Sequence, residues 1–141
     1  MAKFKVGDKV TDGNSVCDYD AEEIKRQITI ASAVAPVEFG GCKINVLDCP
    51  GYFDFAGEVA AAIRAVEAGI ILCTAKDGLS VGMERTWKML GKKPRMIFIN
   101  RTDEDNSSYA DCFAALKEKF GGETVGVIFP ILSRNRFAIC L

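Results

Sequence analysis

The chain contains no histidine. That absence excludes Ser-His-Asp and Cys-His nucleophilic sites, histidine general bases and histidine metal ligands. Cysteine occurs six times but never as C-x-x-C, so the spacing favours reduced, buried thiols over a zinc site or a disulfide framework. The function therefore has to rest on carboxylates, amides, hydroxyls and backbone groups.

Long hydrophobic runs are also missing. No apolar stretch approaches the roughly 18 residues that suggest a membrane span, and the first ten residues lack the apolar core of a signal peptide. Neither charge is in excess, with 18 Lys and Arg against 19 Asp and Glu, and no basic run suggests a nucleic-acid-binding patch. We expect a cytoplasmic protein with no membrane partner.

What is present is an alternation of strand and helix patterns. Residues 33–48 read as two strands around Gly40-Gly41, a dipeptide that accepts the positive φ of a tight hairpin. The later elements are, in order, a helix over 54–68, the doubly buried strand GIILCTA, a helix capped by Ser80, the buried strand RMIFIN, a helix opened by Ser108 with Asp111, and the apolar segment VGVIFPI. The pattern predicts an α/β fold with a mostly parallel sheet, covered on both faces, and one antiparallel hairpin.

Two predicted strands end in polar side chains. INVLD ends at Asp48 and RMIFIN ends at Asn100, and in α/β sheets ligands bind beyond the carboxyl ends of the strands. We therefore expect both residues at one edge of the sheet. Three residues after Asn100, Asp103 could accept two hydrogen bonds from a guanine edge. Either motif taken alone can also be a simple turn.

Four segments together resemble a known family. In chain order they are DGNSVCDYDAEEIKRQITI, DCPGYFDFAGEV, GLSVGMERTW and FINRTDEDN. They are similar to the first switch region, the second switch motif, the following helix and the guanine-recognition motif of translational GTPases, most closely elongation factor G. The similarity runs from about Gly13 to Gly121. It implies a three-layer, P-loop GTPase-like G domain with GTP and Mg²⁺ as ligands, the ribosome as partner, and GTP hydrolysis coupled to translocation in protein synthesis.

The resemblance implies roles on the phosphate side of the nucleotide. Thr29 would give its hydroxyl to Mg²⁺, and Asp48 would reach the same ion through water. The amide of Gly51, which follows Pro50, would donate to the γ-phosphate, and a residue without a side chain suits that close approach. Tyr52 stands where elongation factors usually carry the histidine that orients the attacking water. Because a phenol cannot be cationic, we expect slower hydrolysis.

On the base side, the resemblance assigns guanine recognition to Asn100, Arg101 and Asp103. Asp103 would accept from the base and Asn100 would brace the loop. Arg101 replaces the usual lysine of this motif, and since the two cations are not interchangeable at tight sites, we expect weaker base recognition.

The largest departure from the family is that G-x-x-x-x-G-K-[ST] does not occur. That segment normally supplies amides, a lysine and a Mg²⁺ hydroxyl to the phosphates. We expect a partial G domain with the first strand and P-loop missing, leaving a gap between INVLD and GIILCTA that KFKV, residues 3–6, is a candidate to fill. The expected division is 1–12 of uncertain structure, 13–130 as the partial G domain and 131–141 unassigned. The alternative function is a non-hydrolysing fragment or a nucleotide-free interaction domain.

Overall fold

The computed structural model describes residues 10–121, 126, 129–133 and 136–140, with the last two ranges described for the backbone. The chain divides into two compact units, Met1–Glu67 and Ala68–Leu141. The first unit holds α1 (Ala21–Arg26), β1 (Ala33–Phe39), β2 (Cys42–Asp48) and α2 (Ala56–Ala65), with 3₁₀ turns at Val10–Asp12 and Phe53–Phe55. The second holds β3 (Gly69–Thr74), α3 (Val81–Leu90), β4 (Arg95–Asn100), α4 (Tyr109–Phe120), β5 (Phe129–Ser133) and β6 (Arg136–Cys140).

The first helix begins at a capping box. The Asp20 side chain accepts from the amide of Glu22 at 2.8 Å, and the Glu23 side chain reaches back to the amide of Asp20 at 3.2 Å. These bonds satisfy amides that have no partner within the first turn of a helix. Gln27 ends the helix in the left-handed conformation, with φ of 56°.

The predicted hairpin is confirmed. β1 and β2 pair antiparallel, from Ala33 opposite Asp48 to Phe39 opposite Cys42. Gly40 and Gly41 connect them with φ of 58° and 76°, a conformation that side chains disfavour and a two-residue hairpin turn requires. The hairpin carries Asp48 at the end of its second strand.

The helix predicted over 54–68 is shorter than expected. A 3₁₀ turn occupies Phe53–Phe55, and α2 ends at Ala65 because Val66 takes an extended conformation with ψ of 154°. Of the α2 residues only Ala62 is buried, so the expected apolar stripe is only partly covered.

In the second unit, β3 and β4 pair in parallel from Gly69 opposite Arg95 to Thr74 opposite Asn100. The predicted caps are confirmed, since Ser80 accepts from the amide of Met83 and Ser108 from the amide of Asp111, each at 3.2 Å. The helices contact each other through the rings of Trp87 and Phe120, whose centroids are 4.2 Å apart, and through an ion pair of Glu84 with Lys119.

Our predictions that GIILCTA is buried on both faces and that RMIFIN is a buried strand are wrong. Ile71 and Cys73 are buried, but Ile70, Leu72, Met96 and Phe98 are between 51% and 69% exposed. The reason is that α3 packs on β3 and Cys112 of α4 contacts Cys73 on the same face. No other helix described for this unit covers the opposite face, so the strands alternate in burial.

The expectation that Asp48 and Asn100 end strands of one sheet stays a prediction, because they belong to different units. Among the described residues the strands form three two-stranded sheets, β1 with β2, β3 with β4, and β5 with β6. The candidate filler KFKV lies outside the described residues.

The C-terminal segment adds an antiparallel pair, from Phe129 opposite Cys140 to Ser133 opposite Arg136. The sequence patterns left residues 131–141 unassigned, and β6 was not predicted. The fold is thus mixed α/β with a small parallel sheet and an antiparallel hairpin, as predicted. No helix in the described part of the chain is long and apolar enough to cross a membrane.

Candidate functional site

The first candidate group lies around the end of β2 in the first unit. Asp48 is the last residue of this strand, and its carboxylate is hydrogen-bonded to the Cys17 thiol. Asp18, the residue after Cys17, accepts a hydrogen bond from the Thr29 hydroxyl, with 2.7 Å between Oγ1 and Oδ1. Residues 17 and 18 therefore connect the two side chains, Thr29 and Asp48, that the sequence resemblance assigned to Mg²⁺.

The surroundings of Asp48 and Cys17 disfavour the negatively charged form of each side chain. Burial raises the pKa of Asp48, and the neighbouring charges of Asp18 and Glu23 raise it further, against the lowering effect of the Cys17 hydrogen bond. Burial and the Asp48 charge raise the pKa of Cys17 to about 11, so this thiol stays protonated as a donor. A cation near these carboxylates would relieve their repulsion.

The donor atoms fit Mg²⁺, which prefers carboxylate, hydroxyl, water and phosphate oxygens. In residues 10–121, however, no group of three or more His, Cys, Asp or Glu side chains could hold a metal ion by itself. A Mg²⁺ ion held here would depend on phosphate and water oxygens for most of its coordination shell.

Neither the backbone conformation nor the packing around Gly51 requires a glycine at this position. Its φ lies outside the left-handed region, and a Cβ built on it meets no atom within 4 Å. An alanine would therefore fit the described structure without strain. The absence of a side chain is explained if a ligand approaches this backbone closely.

Tyr52 follows on the same loop and is 59% exposed. Its backbone is extended, with φ of −75° and ψ of 140°, and its carbonyl accepts from the amide of Phe55 at 3.1 Å. The side chain thus starts from the residue next to Gly51 and leaves its phenol exposed.

The second candidate group follows β4 in the second unit. Asn100 ends the strand, and its carbonyl accepts from the amide of Ala75 at 2.9 Å. Arg101 takes a left-handed φ of 55°, and its guanidinium pairs with Glu104 at 3.3 Å rather than extending alone. Ser107 closes the loop by donating to the carbonyl of Thr102 at 3.0 Å. Asp103 lies in this loop and is exposed.

Sequence reasoning missed Cys17 and Asp18 of the first group, and also Glu23 and Glu58, which hold the segment after Thr29. Glu23 accepts from the amides of Ile30 and Ala31, and Glu58 accepts from the amide of Ser32. For Glu23 a signal existed, because D-x-x-E before a helix is a capping box. The contact of Thr29 with Asp18 joins residues 11 positions apart in irregular chain, and no periodic pattern reports such a pair.

Comparison with known proteins gives the family. Residues 2–136 match the family model described as the elongation factor Tu GTP binding domain. The elongation factor G-like protein of Mycobacterium tuberculosis is 32% identical over 123 residues, which are 86% of this chain and 17% of the relative. Elongation factor G 2 of Desulfotalea psychrophila is 34% identical over 136 residues, 95% of this chain and 20% of the relative.

A solved structure agrees. A crystal structure of a protein from Thermus thermophilus superposes with a TM-score of 0.85 at 29% identity, over 92% of this chain and 20% of the other. The chain spans about a fifth of the length of the curated relatives it matches. By the family match and these relatives, the chain belongs to the translational GTPases, as G-domain sequence of the elongation factor G family.

Proposed function

We propose that this chain binds GTP with Mg²⁺ as part of a translation factor that acts on the ribosome during protein synthesis in the cytoplasm. The observation that carries the proposal is the group of Thr29, Asp18, Cys17 and Asp48, in which a hydroxyl and two carboxylates meet at the end of β2. We further infer that residues 13–130 are the G-domain part, flanked by 1–12 and 131–141.

On the phosphate side, Thr29 would offer its hydroxyl oxygen to Mg²⁺ and Asp48 would hold a metal-bound water. When bound, Mg²⁺ would neutralise charge on the β- and γ-phosphates. The Gly51 amide, fixed after Pro50, would donate to a γ-phosphate oxygen. This assignment is supported by the open space around the Gly51 Cα.

On the base side, Asp103 would accept two hydrogen bonds from guanine, and Asn100 would brace the loop from the end of β4. Arg101 would have to leave Glu104 to stack beside the base, since the two are paired at 3.3 Å. An exposed ion pair of this kind stabilises by about 1 kcal/mol or less, so the exchange requires little free energy.

Family members are GTP hydrolases, and in this chain Tyr52, next to Gly51, would orient the attacking water. A neutral phenol can donate to or accept from that water but cannot stabilise the developing negative charge as a cation would. We therefore propose slow hydrolysis.

The second candidate function is a nucleotide-free interaction domain. It is favoured by one observation, the absence of G-x-x-x-x-G-K-[ST] from the 141 residues. Without those amides and that lysine, the remaining contacts should give only weak nucleotide affinity.

Backbone NMR of the chain titrated with GTP and Mg²⁺ separates the two functions. GTP binding predicts shifted amides at Cys17, Asp18, Thr29 and Gly51, and at Arg101 to Asp103. Titration with ATP is the control and should leave the 101–103 amides in place. A spectrum unchanged by GTP, or changed equally by ATP, would favour the interaction domain.

A further inference from the structure

Three consecutive amides in the loop after Thr29 are held by carboxylates from two different helices. The amides of Ile30 and Ala31 donate to Oε1 of Glu23 on α1, at 2.9 and 3.0 Å. The amide of Ser32 donates to Oε2 of Glu58 on α2, at 2.9 Å. We call Glu23 and Glu58 the carboxylate clamp.

Within the clamp, Glu23 is the fixed member. Only 3% of it is exposed, and its second oxygen accepts from the amide of Asp20 at 3.2 Å. The bonds from Ile30 and Ala31 lower the pKa of Glu23, outweighing the opposite effect of burial. A buried carboxylate with donors on both oxygens has one favoured position, because each lost bond would leave a desolvated charge.

Glu58, by contrast, is exposed on the first turn of α2. Its bond to Ser32 spans 26 positions in the sequence and joins the Thr29 loop to the helix that follows the Gly51 loop. Solvent can replace an exposed acceptor at small cost, so this bond can open while the Glu23 bonds persist.

We infer that Glu23 and Glu58 are positioning residues for Thr29. Glu23 anchors the loop that contains Thr29, and Glu58 couples that loop to α2. The inference deepens the proposed function and rests on it for the role of Thr29. Bonds to three successive amides restrict the backbone just after Thr29, which keeps its hydroxyl on Asp18. Opening of the Ser32 bond would loosen this restraint from the α2 side.

Amide hydrogen exchange followed by NMR tests the clamp in the ligand-free chain. Glu58→Ala should speed exchange at Ser32 by about tenfold, the effect of one charge-assisted bond, and should also speed Ile30 and Ala31 by a smaller factor. Glu58→Gln should restore part of the protection at all three, since its amide oxygen can accept but carries no charge. Glu67→Ala, an exposed glutamate just beyond α2, is the matched control and should change none of them.

The buried member has its own series. Glu23→Ala should speed exchange at Ile30 and Ala31 by about tenfold or more. Glu23→Gln should recover only one side, because its NH₂ would face either these amides or that of Asp20. Glu22→Ala is the control.

For the coupling through Glu58, the contradicting result is unchanged exchange at Ile30 and Ala31 in Glu58→Ala, with Ser32 alone affected.

The role of Thr29 has a separate readout. Electron paramagnetic resonance with Mn²⁺ and GTP should show weaker Mn²⁺·GTP binding by Glu58→Ala, by at least about threefold, and recovery in Glu58→Gln. If Glu58→Ala and Glu58→Gln bind Mn²⁺·GTP with equal affinity, Glu58 does not position Thr29. Absence of Mn²⁺·GTP binding by the unsubstituted chain would instead contradict the proposed function, whereas exchange at residues 30–32 still decides the clamp.

Discussion

The Thr29 hydroxyl donates to Oδ1 of Asp18 at 2.7 Å. This bond uses the hydroxyl hydrogen and leaves the oxygen lone pairs available, so the same side chain can keep Asp18 and still accept a metal ion. Asp18 is therefore an orienting partner of Thr29 and not a competitor for it. If Thr29 binds Mg²⁺ as proposed, this bond would orient its hydroxyl before the ion binds.

The first prediction concerns this hydroxyl. Thr29→Ala should weaken GTP binding in the presence of Mg²⁺ by about tenfold, or ~1.4 kcal/mol, with little effect when Mg²⁺ is chelated. Thr29→Ser keeps the hydroxyl and serves as the control. Fluorescent-nucleotide titrations with and without EDTA measure the difference, and an equal Mg²⁺ effect in all three chains would exclude Thr29 as a ligand.

A second prediction separates stability from binding at Gly51. Because a Cβ there meets nothing within 4 Å, Gly51→Ala should change the free energy of unfolding by no more than about 0.5 kcal/mol. It should still weaken GTP binding, since the methyl group would stand where the γ-phosphate approaches. Thermal unfolding and nucleotide titration on the same samples give both values. Unchanged GTP affinity would remove the phosphate role of this amide.

The pH dependence of the Thr29 loop follows from Glu23, whose pKa lies below its ordinary value of 4.5. A depressed carboxyl pKa stabilises the fold above the unfolded-state pKa, and that contribution is lost as pH falls through the folded-state pKa. The amide shifts of Ile30 and Ala31 should therefore hold steady down to about pH 4.5 and move below it. Glu23→Gln should abolish the transition. A midpoint above pH 5 in the unsubstituted chain would show that Glu23 is not stabilised by these amides.

Thiol reactivity should follow burial. Burial raises the pKa of Cys73 to about 12 and also raises that of Cys112, whereas Cys42 is exposed. Only the thiolate reacts, so a raised pKa makes Cys73 and Cys112 slow to react near neutral pH. Iodoacetamide labelling followed by peptide mass spectrometry should find Cys42 modified first and Cys73 and Cys112 last. Loss of that order in urea is the control, and rapid native labelling of Cys73 would contradict the packing of α4 on β3.

Local signals in the sequence were sufficient for much of the fold. Gly40-Gly41 predicted the hairpin, and Ser80 and Ser108 predicted two helix starts, because turn and cap chemistry involves residues a few positions apart. The burial of β3 could not be predicted in this way. An apolar run such as GIILCTA suits a strand covered on one face or on both, and only the placement of α3 and α4 decides how many faces are covered.

The candidate site was predictable in its chemistry but not in its contacts. Asp48, Gly51 and Asp103 follow strands or lie in turns, and their residue types together with the family resemblance suggested metal, phosphate and base recognition. That Asp18 would hold Thr29, and that Glu58 would reach Ser32, depends on how irregular segments cross in space. No periodicity in the sequence encodes such crossings.

The central claim is guanine-nucleotide recognition, and base preference in the chain and its Asp103→Asn variant tests it most directly. In competition titrations against a fluorescent nucleotide with Mg²⁺, the unsubstituted chain should prefer GTP over xanthosine triphosphate. Its dissociation constant for GTP should be weaker than about 1 μM, which corresponds to ~8 kcal/mol of binding. Asp103→Asn should reverse the preference, because xanthine presents an acceptor where guanine presents a donor. No nucleotide binding, or the same base preference in both chains, would contradict the account.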